Sequence, residues 1–383
     1  HRGGWLCLGL AFVQLTVLRF DRIPNNPVRR RARNTAWVLS MAGIVLIFSF
    51  WGSNYTDRVS RREYIETYDK YAVAPKGTLV TQNIRYAQRG GKMDVSSEFL
   101  VSNQSGADIQ ELLLYLNPGL RVTSLANNDG ALAYERENQV IRVKYSLAKG
   151  DSLRVYMKYE GKIDENVCYL DFPEQITTNT SNNAYLACRY GKHYAFLEKD
   201  FTLLTPEVLW YPTTVPPVNP SFPYNRLQNF SNYTLQVVTQ NKRTVISQGE
   251  KTPRNKDVIF QNSYPLPGIS LCIGDYETHS FKLDSVLYEV NILQGHTYLL
   301  DNIKNNNNIA PEEFIAESRE AAERKLSKKY PYTKLSLTET PSSFASYYRN
   351  ERSSSEFVQP ELIFMPERSI RVQVSPQREI NSE

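Results

Sequence analysis

Between Thr35 and Gly52 the sequence runs for eighteen residues without a charge. As a helix rising 1.5 Å per residue, such a run spans roughly 27 Å, close to the ~30 Å hydrocarbon core of a bilayer. Trp37 and Trp51 stand at its two ends, where amphipathic rings settle at the headgroup level. Another apolar run, residues 3–18, precedes it, interrupted only by Cys7, Gln14 and Thr16. That run is slightly short for a span and the chain opens on His1, so further apolar sequence is expected upstream. Between the runs lie Arg19, Arg22, Arg29, Arg30, Arg31 and Arg33, against the single acid Asp21. Arginine-rich loops stay in the cytoplasm. The expected order is a transmembrane helix at 1–20, a cytoplasmic basic loop at 21–34, a second transmembrane helix at 35–52 and an extracytoplasmic remainder. A signal peptide carries its charges before the apolar stretch, whereas here they follow it. A buried helical hairpin is the other alternative, and the uncharged length of the second run weighs against it.

Charge is unevenly placed. Residues 1–62 hold ten Arg and two Asp, a balance of +8 within a total of +5, so the remainder is near −3. The basic character belongs to the apolar segment, and no downstream stripe of cations interleaved with aromatics suits a phosphate backbone. Nucleic acid is not an expected partner. Cys7, Cys168, Cys188 and Cys272 are scattered with no CxxC pair, which argues against a zinc knuckle or redox motif. Cys168 and Cys188 are read either as a disulfide or as free thiols.

Residues 53–75 form a polar, tyrosine-containing linker, and the pattern then turns to strands. Segments 79–87 and 93–101 flank Arg89-Gly90-Gly91-Lys92, a hairpin signal because glycine accepts the positive φ of tight turns. Residues 112–116 read as a buried strand. Turn clusters follow at Asn127-Asn128-Asp129-Gly130, Arg136-Glu137-Asn138 and Lys149-Gly150-Asp151. Leu153, Val155, Met157 and Tyr159 alternate with polar neighbours, the period of a half-buried strand. Residues 174–183 read as loop and the proline-rich 212–223 as ordered coil. Strand patterns resume at 233–239, 244–247, 258–261, 269–273 and 288–293. After the polar tract 305–308, Pro311 opens a helix whose apolar face is expected to hold Phe314, Ser318, Ala321, Ala322 and Leu326. Strands are expected at 334–339 and 362–365. Short strands at ten-residue spacing argue a β-sandwich or saddle-like sheet.

Several segments, in order, resemble the N-terminal half of the aminopeptidase N family of zinc peptidases. They are 113–122 with 140–144, the strand ending in Tyr159-Glu160-Gly161, and Trp210-Tyr211-Pro212 with Phe222-Pro223. Next come 233–249, ending in Gly249, and 258–276 with Pro265-Leu266-Pro267 and Ile273-Gly274-Asp275-Tyr276. Last is Lys329-Tyr330-Pro331-Tyr332, followed by 334–339 and Pro341. The resemblance implies transmembrane α-helices followed by a mainly β domain of the aminopeptidase N type at 76–295, then the start of an α/β catalytic-like domain at 296–383. Attachment to apolar helices resembles bacterial proteins that join an ABC-2-type transporter permease to an aminopeptidase-like domain. That implies a plasma-membrane location with a periplasmic soluble part. The implied partners are the lipid bilayer, an ABC ATPase subunit and a peptide or protein substrate.

The family's chemistry needs zinc on an HExxH helix with a later glutamate, and a Gly-x-Met-Glu-Asn strand for the substrate amine. The histidines here are His1, His193, His279 and His296, no two four apart and none followed by Glu. No zinc or other cofactor is expected in these residues, and zinc enters only with a catalytic half beyond Glu383. Aligned on Pro360, Phe357-Val358-Gln359 replaces Met-Glu-Asn, a degenerate amine-binding strand. Glu356 or Glu361 would have to substitute, and neighbouring strand positions point to opposite faces. The expectation is a non-catalytic binding or docking module. The alternatives are the front part of an active zinc aminopeptidase and a structural or adhesion β domain. His193 reads as a surface-loop residue.

Overall fold

The computed structural model describes residues 2–19, 26–168, 193–218, 229–238, 243–255, 257–296, 310–344 and 357–367. Expectations for 174–183, 219–223, Cys188, 305–308 and Glu356 lie outside the described residues. The chain divides into two compact units, His1–Tyr64 and Ile65–Glu383.

The first unit is helical. α1 spans Arg2–Arg19, and α2 begins at Asn26 and runs to Tyr71. The two helices approach through small residues. A Cβ on Gly43 would fall 2.9 Å from the Gly4 carbonyl oxygen, and one on Gly4 would fall 2.8 Å from Ile47. Ala11 and Ala36 are buried, while Trp5, Phe12, Trp37, Val45, Phe48 and Trp51 are exposed. Small residues inside and large apolar ones outside invert the pattern of a soluble hairpin. Among the described residues one helix, within Arg30–Tyr71, is long and apolar enough to cross a membrane, which fits a membrane anchor or a signal sequence.

The segment expected as a linker, 53–75, is helical to Tyr71. Its last turns belong to the second unit. Tyr71 donates its hydroxyl to Glu137 (2.7 Å), Lys70 pairs with the same carboxylate, and Thr67 accepts from the Asn138 amide at 2.9 Å.

The second unit is mainly β. Its largest sheet runs β13 (Glu250–Arg254), β14 (Asp257–Gln261), β11 (Asn232–Val238), β1 (Thr78–Arg89), β2 (Lys92–Ser102), β8 (Ser152–Gly161), β4 (Leu120–Asn127) and β5 (Gly130–Ala131). The β1–β11 pairing is parallel and the others antiparallel. Period-two alternation sends Ile84, Tyr86, Val95, Phe99, Val155, Met157 and Tyr159 to one face. There they meet β3 (Leu112–Tyr115) and β7 (Val140–Val143), whose sheet is completed by β6 (Tyr134–Glu137). Trp210, fully buried, stands edge-on to Tyr86 and Tyr211, and its indole N–H donates to the Ile269 carbonyl at 3.3 Å. Fully burying each such large apolar side chain is worth about 1.5–3 kcal/mol, so the expected strands fold around this core.

A smaller sheet runs β12 (Thr244–Ser247), β15 (Leu271–Gly274), β10 (Thr202–Leu204) and β9 (Phe196–Leu197). The last is mixed: β16 (Tyr276–Leu283), β17 (Val286–Leu293), β18 (Lys334–Thr340), β20 (Leu362–Pro366) and β19 (Phe357–Gln359). Residues 287–291, placed by sequence in the 76–295 domain, pair in parallel with β18. The mixed sheet begins at Tyr276 because the Asp284 turn folds 276–293 into one hairpin.

α3 (Pro311–Leu326) covers this sheet through part of the expected face, with Phe314, Ser318 and Ala321 half-buried. Ile315 packs with Val290, Ile292 and Met365, and Arg319 donates to the Tyr288 hydroxyl at 3.1 Å. Leu326 is 68% exposed and Ala322 is exposed too.

Candidate functional site

β19 and β20 form a hairpin closed by Pro360 and Glu361. Pro360 sets the φ of the first turn position, and Glu361 follows at φ +62°, the left-handed region that glycine normally supplies. A non-glycine residue held there costs energy, so its side chain must recover it elsewhere.

It does so at Gly249. The Glu361 carboxylate accepts the Gly249 backbone N–H at 2.5 Å, and the Glu361 carbonyl accepts the Ser336 N–H at 2.8 Å. Gly249 itself has φ +90°, and a Cβ there would stand 2.6 Å from the Gln261 carbonyl carbon. No other residue fits without backbone movement.

Gln359 reaches the same neighbourhood. Its side-chain oxygen accepts from the Ser270 hydroxyl at 2.6 Å and from the Gln248 amide at 3.2 Å. Gln248 in turn accepts the Ser270 N–H at 2.8 Å. The Gln359 side-chain N–H2 has no acceptor among the described residues. Gln359 and Glu361 are two positions apart, the spacing that puts strand side chains on one face, and both address residues 248–249 and 270. Phe357 and Val358 lie on β19; their side chains are outside the described residues.

Lys334 closes the cluster from β18. Its ammonium donates to the Ser247 carbonyl at 3.1 Å, pairs with Glu289 at 3.3 Å and lies 5.6 Å from the Phe260 ring centre. Ser336 donates to Glu289 at 2.7 Å. Burial pushes the Glu361 carboxyl above the ordinary carboxylate value, opposed by the Gly249 N–H and Lys334. Burial also works against ionised Glu289, but Lys334 and the Ser336 hydroxyl more than offset it and hold it low. Burial lowers Lys251 nearby.

Sequence reasoning singled out Gln359 and Glu361 and missed their partners Gln248, Gly249 and Ser270, and the nearby pair of Lys334 and Glu289. One signal was present. In β18 the polar residues Lys334, Ser336 and Thr338 take the buried positions and Leu335 and Leu337 the half-buried ones. A strand whose polar face is the buried one must meet polar partners.

A zinc ion does not fit the described residues. His193 meets only Glu165 as a carboxylate (3.3 Å), His279 meets Glu277 (3.3 Å), and His296 meets the buried Glu339 (3.1 Å). No group of three His, Cys, Asp or Glu side chains converges among them. Trp37 and Trp51 are exposed on α2, as are Arg30, Arg31 and Arg33; the side chain of Arg29 lies outside the described residues. Cys168 and Cys272 are buried.

No protein-family model and no curated protein match this sequence. Solved structures do match the fold. A point mutant of the M1 zinc metallopeptidase from Deinococcus radiodurans bound to a Tyr-Ser-Ala substrate aligns with a TM-score of 0.53 at 16% identity, over 78% of this chain and 62% of that one. Aminopeptidase A from Legionella pneumophila in complex with aspartic acid gives a TM-score of 0.53 at 13% identity, over 76% and 31%. The chain thus spans less than two thirds of these proteins. At such identities the likeness establishes an aminopeptidase N-like fold.

Proposed function

We propose that this chain is a membrane-anchored, non-catalytic aminopeptidase-like domain that serves a transporter permease as an extracytoplasmic binding or docking module. One observation carries the loss of catalysis. The two residues best placed to replace the family's amine-binding carboxylate, Gln359 and Glu361, bond to Ser270, Gln248 and Gly249 instead of an open cleft. A carboxylate already accepting a backbone N–H beside Lys334 is poorly placed to bind a substrate ammonium.

The anchor reading rests on the helical unit. Large apolar side chains point outward around a seam of Gly4, Gly43, Ala11 and Ala36, the distribution expected where lipid is the solvent. The exposed Arg30, Arg31 and Arg33 then face the cytoplasm and residues after Gly52 the other side. In this reading the partners are the bilayer, an ATP-hydrolysing subunit and a peptide or protein substrate, with no bound cofactor.

The test is hydrolysis of a panel of aminoacyl-4-nitroanilides by the detergent-solubilised chain, with and without added zinc. No turnover above buffer is expected in either arm. Zinc-dependent turnover abolished by Gln359→Ala would overturn the reading and favour an active peptidase.

A further inference from the structure

The outer face of the eight-stranded sheet carries an ordered row of polar side chains. Cross-strand register places Ser124 opposite Lys158, Lys158 opposite Ser96, Ser96 opposite Arg85 and Arg85 beside Gln236. The bulge between Val122 and Ser124 sets one end, because it puts Ser124, not Thr123, across from Lys158. Neighbouring strands stand ~4.8 Å apart, so Arg85 and Lys158 are about 10 Å apart with a hydroxyl between them.

These two cations have no ion-pair or hydrogen-bond partner among the described residues. The other charged side chains near them are taken up, and Asp257 accepts from the Gln236 amide. Arg154 pairs with Glu98 and Arg121 with Glu160. Asp94 lies in the next row, opposite Ala87 and Glu160. Over the row lies a groove of about 320 Å³, lined by Arg85, Lys158, Ser96, Ser124, Thr234 and Gln236, with Tyr156 at 38% exposure on its margin. That volume is at the lower end for small-ligand sites.

We infer that this groove binds an acidic oligosaccharide, with Arg85 and Lys158 taking carboxylates on separate sugar units. Charge complementarity selects an anion, since among the described residues the two cations of the groove have no partner and its one lining carboxylate, Glu98, is bound to Arg154. The hydroxyls and amides of the lining suit a polyol, and the half-open Tyr156 ring offers a face to a pyranose. An extended peptide is disfavoured because the strands beneath are paired on both sides and leave no backbone edge to add to. Recognition there must come through side chains.

The test is calorimetric titration of the detergent-solubilised chain with α-1,4-linked hexagalacturonate, with maltohexaose and hexaglutamate as comparisons. Saturable binding of the uronate alone is expected, weakening as salt screens the charges. Arg85→Gln with Lys158→Gln should weaken it by about tenfold or more, as loss of charged hydrogen bonds does. Arg154→Lys, on the same face and still able to pair with Glu98, should change it little. Circular dichroism checks that the variants fold; all three lie on the exposed face. No binding of the uronate, equal binding of hexaglutamate, or binding unchanged in the double variant would overturn the inference.

Discussion

The Glu361 carboxylate crosses from the hairpin of the mixed sheet to the Gly249 backbone N–H, 2.5 Å away. Two residues with left-handed backbone thus hold each other in place, one from each end of a buried polar layer. Lys334 completes the layer by donating to the Ser247 carbonyl, two residues before Gly249. Burying charge here is costly, so each partner's removal has a definite consequence.

Gly249→Ala should destabilise the chain by about 1–3 kcal/mol from backbone strain alone, with the contact to Gln261 adding to it. Urea denaturation followed by circular dichroism measures the shift. An unchanged midpoint would mean that the segment relaxes freely.

Glu361 has a folded-state pKa above its ordinary 4.5. Its contribution to stability is therefore full below that value and is lost as pH rises through the folded pKa. Glu361→Gln keeps the oxygen for Gly249 and removes the charge. The variant should match the parent near pH 4 and exceed it in stability toward pH 8. Glu289, held low by Lys334, gives the opposite sign: its contribution is present above 4.5 and lost as pH falls. Denaturation midpoints across pH 4–8 for Glu361→Gln and Glu289→Gln separate the two slopes.

Lys334→Met should cost about 3–5 kcal/mol, because it leaves the Glu289 carboxylate half-buried without its cation. The double variant Lys334→Met with Glu289→Leu should recover most of the loss. Additive losses instead would show that the pair is not coupled.

Ser152 is exposed at the start of β8, and Cys168 and Cys272 are buried. In intact cells a Ser152→Cys variant should react with a membrane-impermeant maleimide above the parent's background. Reaction only after lysis would reverse the proposed orientation.

Hydrogen exchange should separate the sheet from the helix that covers it. Amides of β8 and β11, whose alternate side chains are buried in the main core, should exchange slowly. Those from Ile315 to Leu326 should exchange much faster, since no side chain described in α3 is fully buried. Equal protection would mean that α3 shares the core's stability.

Much of this architecture was legible in the residues because it depends on local periodicity. The charge-free run 35–52 required a long apolar helix, and the alternation from Leu153 to Tyr159 required a strand with one buried face. Gly90 and Gly91 fixed their hairpin because only a tight turn connects strands that close. Apolar counting placed Phe314, Ser318 and Ala321 on the half-buried face of α3 but also Ala322 and Leu326, which are exposed, and it could not foresee that Arg319 reaches Tyr288.

What the tertiary structure alone decided is where the polar residues go. Gln359, Glu361, Lys334 and Gly249 are spread over more than a hundred positions, and nothing in their spacing brings them together. The parallel β17–β18–β20 pairing does so, by laying a strand with a buried polar face against the segment 247–249. Hydrophobic period sets which face of an element is buried. The partners of a buried charge are set by long-range strand register, which no local pattern encodes.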